Sequence, residues 1–219
     1  MDPPLRARAA ANTRGTAGRF RDAASTLATV AEIVFIRHAE SQWNAKRLWQ
    51  GQADPPLSAR GREQAHALAA RLAGQGLRAL VTSDLLRARE TAAILAERLS
   101  ISVELEAGLR ELDVGRWSGH SHAEIAERWP EELARFRAGD AQLRPGGGEP
   151  RARFRERVAT ALAGVASSGA GTVGVVAHLG VLRSLRPGAE LANADFLVLD
   201  SALTQDDGTD YPGAQGPEL

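Results

Sequence analysis

Apolar residues fall along this chain in two patterns that alternate: short continuous runs and helical stripes. Glu32-Ile33-Val34-Phe35-Ile36 is β-branched and aromatic and stops at Arg37, the pattern of a buried strand. Ser58 then caps a stripe reaching about Ala73, with Gly74 and Gly76 as stop signals. Arg78-Ala79-Leu80-Val81-Thr82 predicts a second strand, and Ser83 or Asp84 caps a helix to about Leu99. Ile101 to Leu105 alternates as a third, short strand. Helical spacing returns from Ser121 to Arg137 and from Arg151 to Ala166. Thr172 to Ala177 is another continuous apolar strand, and Phe196-Leu197-Val198-Leu199 is a shorter one.

Strands alternating with helices imply right-handed crossovers and a mostly parallel sheet. Strands that are apolar without alternation need cover on both faces. The expectation is therefore an α/β fold, a three-layer α/β/α sandwich around a mostly parallel central sheet. One domain is expected over residues 32–200. Residues 1–31, Ala/Arg-rich, are expected to be a disordered or loosely ordered extension, and the Gly-, Pro- and Asp-rich residues 201–219 a flexible tail.

Composition narrows the classes. Formal net charge is +0, which points away from nucleic acid and from an anionic membrane as partners. No apolar run approaches the roughly 20 residues of a membrane helix. Cysteine is absent, so disulfides, zinc–thiolate sites and a cysteine nucleophile are excluded. That fits a reducing compartment, and a cytoplasmic location is expected. Lys46 is the sole lysine among many arginines, a coding bias that suggests a GC-rich, bacterial source.

In open α/β sheets ligands bind beyond the carboxyl ends of the strands. That rule selects Arg37-His38 after the first strand, Ser83-Asp84 and the Arg87 helix after the second, Glu111 beyond the third, and His178 after the fourth. With Asn44 nearby, this rim offers two histidines, two arginines, a glutamate and an amide. Guanidinium groups match phosphate oxygens, neutral imidazole is a nucleophile, and a carboxylic acid can protonate a leaving alkoxide. These are the parts for phosphoryl transfer.

Arg37-His38-Ala39-Glu40-Ser41-Gln42-Trp43-Asn44 resembles the signature of the histidine phosphatase superfamily, the phosphoglycerate-mutase-like fold. The likeness continues through Gln50-Gly51, Asp54-Pro55-Pro56-Leu57-Ser58 and Gly61-Arg62-Glu63-Gln64-Ala65. It takes in Ser83 to Ala92, Leu109-Arg110-Glu111, Gly115 to Gly119, Pro145 to Glu149, and Ala177-His178-Leu179-Gly180, covering about Glu32 to Asp200.

The resemblance implies that His38 attacks phosphorus and becomes phosphohistidine. It implies that Arg37, Arg87 and His178 hold the phosphoryl oxygens. Glu111 protonates the leaving oxygen and then helps activate water. Asn44, Gln50, Gly51 and Leu179 would sit against the substrate. It implies no metal and no cofactor, a small-molecule phosphate ester as partner, and a monomer or homodimer. His38 must be neutral to attack, which nearby arginines favour, and Glu111 must hold a proton.

The connection between Glu111 and His178 is short, resembling the phosphatase branch, in which water takes the phosphoryl group. A metal-independent phosphomonoester hydrolase acting on a small metabolite is the expectation. A phosphoglycerate-type mutase and a non-catalytic phospho-ligand module are the alternatives. Two departures stand out: Leu179 in place of a small residue, and Arg186-Pro187-Gly188 cutting the following helix to about two turns. Other features read as structural. His120 and His122 are a loop pair at the pocket rim, and Gly146 to Gly148 a turn at its edge. Arg151, Arg153, Arg155 and Arg157 are mostly solvated helix charges. Trp43 and Trp49 line the pocket mouth or cover the core.

Overall fold

The computed structural model describes residues 31–169 and 171–199. The described chain is an α/β fold on a five-stranded sheet of order β3-β2-β4-β1-β5. The strands are β1 (Glu32–Arg37), β2 (Ala79–Thr82), β3 (Ser102–Leu105), β4 (Thr172–Ala177) and β5 (Phe196–Leu199), and the one-turn helix α1 (Gln42–Ala45) follows β1. β1 and β2 both pair with β4 in parallel, β3 pairs with β2 in parallel, and β5 closes the other edge antiparallel to β1. Of the N-terminal segment expected to be loose, residues 1–30 lie outside the described residues. Ala31 is buried, and its N–H donates to the Ala166 carbonyl at 2.9 Å. The expectation for 201–219 also lies outside them.

The side-chain period of two splits β1 between two cores. Val34 and Ile36 face one side, with Leu80, Val176 and the apolar stripes of α2 (Ala59–Leu72) and α3 (Leu86–Leu99). Ile33 and Phe35 face the other, with Val173, Val175, Leu162 of α6 (Arg151–Ser167) and Trp117. Each fully buried Leu, Ile or Phe contributes about 1.5–3 kcal/mol, so both layers hold the sheet. Among the described residues no helix is long and apolar enough to cross a membrane.

Three local expectations are corrected. The helix expected from Ser121 to Arg137 is two helices, α4 (His122–Arg128) and α5 (Pro130–Arg137). Pro130 disfavours helical backbone at the preceding residue, and Trp129 takes φ −137° and ψ 55° there. The cap of α3 is neither Ser83 nor Asp84 but Leu85, which has no side-chain cap. Asp54, from a distant loop, accepts the Leu86 N–H at 2.5 Å instead, while Asp84 pairs with Arg110. The run Arg151 to Arg157 is not mostly solvated. Arg151 is buried with its guanidinium 3.9 Å from the Phe136 ring centroid, and Arg157 is half-buried in a bond to Glu149 at 2.5 Å.

Candidate active site

Register makes the rim. Arg37 lies opposite Ala177 and Thr82 opposite Val176, so β1, β2 and β4 end level with one another. The ladder runs one residue further. The His38 N–H donates to the Ala177 carbonyl at 3.0 Å, and the Ser83 N–H to the Val176 carbonyl at 3.0 Å. His38, Ser83 and His178 are therefore each the first residue past a strand and sit side by side.

The His38 ring is buried, and its Nδ1 lies 2.7 Å from the Ala39 carbonyl oxygen. A carbonyl only accepts, so Nδ1 carries the hydrogen. In the neutral ring Nε2 then holds the lone pair. Burial, then the charges of Arg87 and Arg37, hold the pKa of His38 well below its usual 6.5. The backbone around it is tied from two directions. The Ala39 N–H donates to Thr91 Oγ1 at 3.0 Å, and the His38 carbonyl accepts Asn193 Nδ2 at 3.0 Å.

The His178 ring lies behind, with its centroid 5.1 Å from that of His38. Its Nε2 is 2.9 Å from Ser83 Oγ, and burial leads the causes that push its pKa well below 6.5. Arg87 is 1% exposed and donates to the carbonyls of Ala53 at 2.8 Å and Gly51 at 2.9 Å. Arg37 donates to the Leu191 carbonyl at 2.6 Å. Burial lowers both guanidinium pKa values, that of Arg87 to about 10. After these bonds are counted, Arg37 Nε, Arg87 Nε and His178 Nδ1 remain buried without a hydrogen-bond partner. Buried nitrogens are ordinarily paired. Three unpaired ones around one imidazole mark a place for an acceptor-rich ligand.

Glu111 reaches the same cavity. Its Oε1 accepts the Leu112 N–H at 2.8 Å and its Oε2 the Gly180 N–H at 3.0 Å. Gly180 leaves room for this carboxylate, because a Cβ would stand 2.0 Å from Oε1 and the Glu111 side chain would have to shift. Arg157 fixes the loop below: it donates to the carbonyls of Gly108, Arg110 and Glu111 at 2.7 to 2.9 Å while pairing with Glu149.

The cavity has a volume of about 220 Å³, and Arg37, His38, Arg87, Glu111 and Leu179 all line it. Asn44, Gln50 and Gly51 line it too. His178 does not; its ring packs against that of His38, which does. Asn44 Oδ1 is engaged by the Ser41 N–H at 3.1 Å and Ser41 Oγ at 3.0 Å, which leaves its amide hydrogens available to a ligand. Sequence reasoning placed Ser83 on the rim without a partner and gave no role at the site to Gly180, Arg157 or Asn193. Gly180 and Ser83 lie inside quoted motifs, whereas nothing local marks Arg157 or Asn193.

Other structural readings are adjusted. Trp49 both lines the cavity and packs on Trp117 and Phe136 at centroid distances of 5.5 and 5.6 Å; Trp43 does not line it. His122 stacks on Trp49 and His120 meets Trp129 edge to face, and neither histidine lines the cavity. Gly146 to Gly148 do not edge the pocket either. Gly146 (φ 60°) packs so tightly under the Val114–Trp117 loop that a Cβ would stand 2.0 Å from the Val114 carbonyl oxygen. Among the described residues no group of three or more His, Cys, Asp or Glu is placed to hold a metal ion.

A family model described as histidine phosphatase superfamily, branch 1, matches residues 33–197. Phosphoglycerate mutase-like protein 4 of Arabidopsis thaliana is 38% identical over 159 residues, 71% of this chain and 69% of that protein. Phosphoserine phosphatase 1 of Hydrogenobacter thermophilus is 36% identical over 129 residues, 59% of this chain and 61% of that protein, so the match spans less than two thirds of its length. Among solved structures, mycobacterial glucosyl-3-phosphoglycerate phosphatase in complex with VO3 superposes with a TM-score of 0.69 at 31% identity, covering 78% of this chain and 92% of that one. The α-ribazole phosphatase of Shigella flexneri superposes with a TM-score of 0.67 at 26% identity, covering 77% and 90%.

Proposed function

We propose a reaction for this chain from one premise: it belongs to the histidine phosphatase superfamily, branch 1. The proposed activity is metal-independent hydrolysis of a phosphomonoester through a phosphohistidine on His38. The observation that carries it is the trio of buried, unpaired nitrogens on Arg37, Arg87 and His178 around a neutral imidazole.

The His38 Nε2 lone pair attacks phosphorus, and the phosphorus–oxygen ester bond breaks with its electron pair going to the leaving oxygen. Glu111, whose oxygens each keep a second lone pair for a proton, protonates that oxygen to give the alcohol. Arg37 and Arg87 stabilise the equatorial charge. If Ser83 Oγ–H donates to His178 Nε2, the His178 hydrogen sits on the unpaired Nδ1, ready for a phosphoryl oxygen. Water then attacks the phosphohistidine, Glu111 takes a proton from it, and the phosphorus–nitrogen bond returns its electrons to Nε2. Inorganic phosphate leaves. The arginines supply the positive charge that a metal ion supplies elsewhere.

Both phosphatase-named and mutase-like relatives resemble the chain. Water is favoured as the final acceptor because the described residues within 112–171 hold, besides two 3-10 turns, only α4, α5 and α6, whose apolar residues belong to the core. The test is turnover of para-nitrophenyl phosphate in excess chelator, with acid-labile phosphohistidine trapped by rapid quench. Both are expected, and both are expected to vanish in His38→Ala, by at least about 10⁴-fold in kcat. Dependence on added metal, or phosphate release with no trapped intermediate, overturns the reading. Isomerisation of 3-phosphoglycerate with little phosphate release would select the mutase alternative.

A further inference from the structure

The phosphate-facing groups occupy one part of the cavity. Much of the rest is an apolar wall made by Leu48, Trp49, Leu112, Val114, Phe136 and Phe154. Its rings are already seated. Trp49 and Phe136 meet edge to face at 5.6 Å, and the Arg151 guanidinium covers the Phe136 ring at 3.9 Å. Such a surface is in place before any ligand arrives.

Uncharged hydrogen-bonding side chains in the lining are few, and their oxygens are engaged. Asn44 Oδ1 accepts the Ser41 N–H at 3.1 Å, Gln50 Oε1 accepts the Ser41 hydroxyl at 2.8 Å, and Ser184 Oγ donates to the Val181 carbonyl at 2.7 Å. Of the arginines not facing the phosphate, Arg47 is exposed and Arg155 half-buried, positions of a mouth, while Arg151 lies over the Phe136 ring and Arg183 is held by the Ala189 carbonyl at 3.0 Å and by Glu190. A leaving group rich in hydroxyls would lose hydration here and find few acceptors in return. A ring would displace water from an apolar surface at no such cost.

We propose that the substrate is a phosphate monoester of an apolar, ring-bearing alcohol. The inference rests on the hydrolase reading of the same site and names the leaving group that this reading leaves open.

The experiment compares benzyl phosphate with sn-glycerol 3-phosphate. Both are alkyl esters, so the comparison reports recognition rather than leaving-group chemistry. The expected kcat/KM ratio is at least about 30-fold in favour of the benzyl ester, most of it in KM. Leu48→Asn, a half-buried position on the wall, should bring the ratio towards one. A ratio of one or less in the unaltered protein overturns the inference, as does a high ratio that Leu48→Asn leaves untouched. Absence of phosphohistidine with either ester defeats the hydrolase reading itself, whereas phosphohistidine formed without the preference defeats only the substrate assignment.

Discussion

The two sides of the cavity are built in different ways. The floor is backbone-determined: His38, Ser83 and His178 each follow a strand whose register with its neighbour is fixed by ladder hydrogen bonds. The wall is packing-determined. Trp49 comes from a loop, Phe136 from α5 and Phe154 from α6, and they meet only through side-chain contact. A ladder places atoms to a few tenths of an ångström and tolerates many side chains around it. A packed wall takes its shape from whatever residues fill it. On the proposed reading, reaction chemistry rests on the floor and substrate choice on the wall, so the two can change independently.

The sharpest way to break the floor while sparing the wall is Gly180→Ala. The added Cβ would meet Glu111 Oε1 at 2.0 Å, and the carboxylate must move. Alanine is a good helix former, so α7 (Leu179–Leu185) should persist. Displacing a proton donor by about an ångström costs on the order of 10²-fold. The expected outcome is a fall of about 10²-fold in kcat with KM for para-nitrophenyl phosphate changed by a few-fold at most and the circular dichroism spectrum unchanged. Retained kcat would show that Glu111 acts from another position.

The floor was legible in the sequence because each of its motifs is local. A strand that ends in Arg37-His38 places the histidine without reference to anything distant. The same holds for Arg87 in the first turn of α3 and for His178 after β4. The wall was not legible for the opposite reason. Arg151, on the wall, read as a solvated helix charge because its burial comes from Phe136 on α5; Arg157, which braces the Glu111 loop, read the same way because its partners are Glu149 and the 108–111 loop. Helical periodicity cannot see those partners. Pro130 was visible, yet its break of the 121–137 helix was overridden in the reading by a continuous apolar stripe.

The two floor histidines also give the protein a pH signature that the wall lacks. In the folded chain burial keeps both rings neutral well below pH 6.5, whereas in the unfolded chain they take up protons near 6.5. As pH falls below 6.5 the unfolded chain binds more protons than the folded one. The stability contributed by the neutral rings is therefore whole above that pH and drains away below it. Each ring steepens the loss by up to about 1.4 kcal/mol per pH unit. Denaturant melts between pH 5 and 7 should show the slope, and His178→Gln should remove about half of the histidine contribution. An unchanged slope in that variant would mean that His178 titrates in the folded protein much as it does in the unfolded one.

The smallest expected effect tests how a long-range contact supports a floor residue. Arg87 lies in the first turn of α3, whose N–H at Leu86 is satisfied by Asp54 rather than by the adjacent Ser83 or Asp84. Removing a side-chain cap costs about 1 kcal/mol, so Asp54→Ala should lower stability by about that amount. Asp54 also stands beside the Ala53 carbonyl that Arg87 holds at 2.8 Å, so loosening this loop should raise KM as well. Asp84→Ala removes only a partly exposed ion pair with Arg110 and should cost less, within about 0–1 kcal/mol, with KM unchanged. The reverse order would mean that the helix start is held by its neighbours in sequence after all. Asp54 would then be a bystander, and the Arg87 guanidinium would owe its place to the two carbonyls alone.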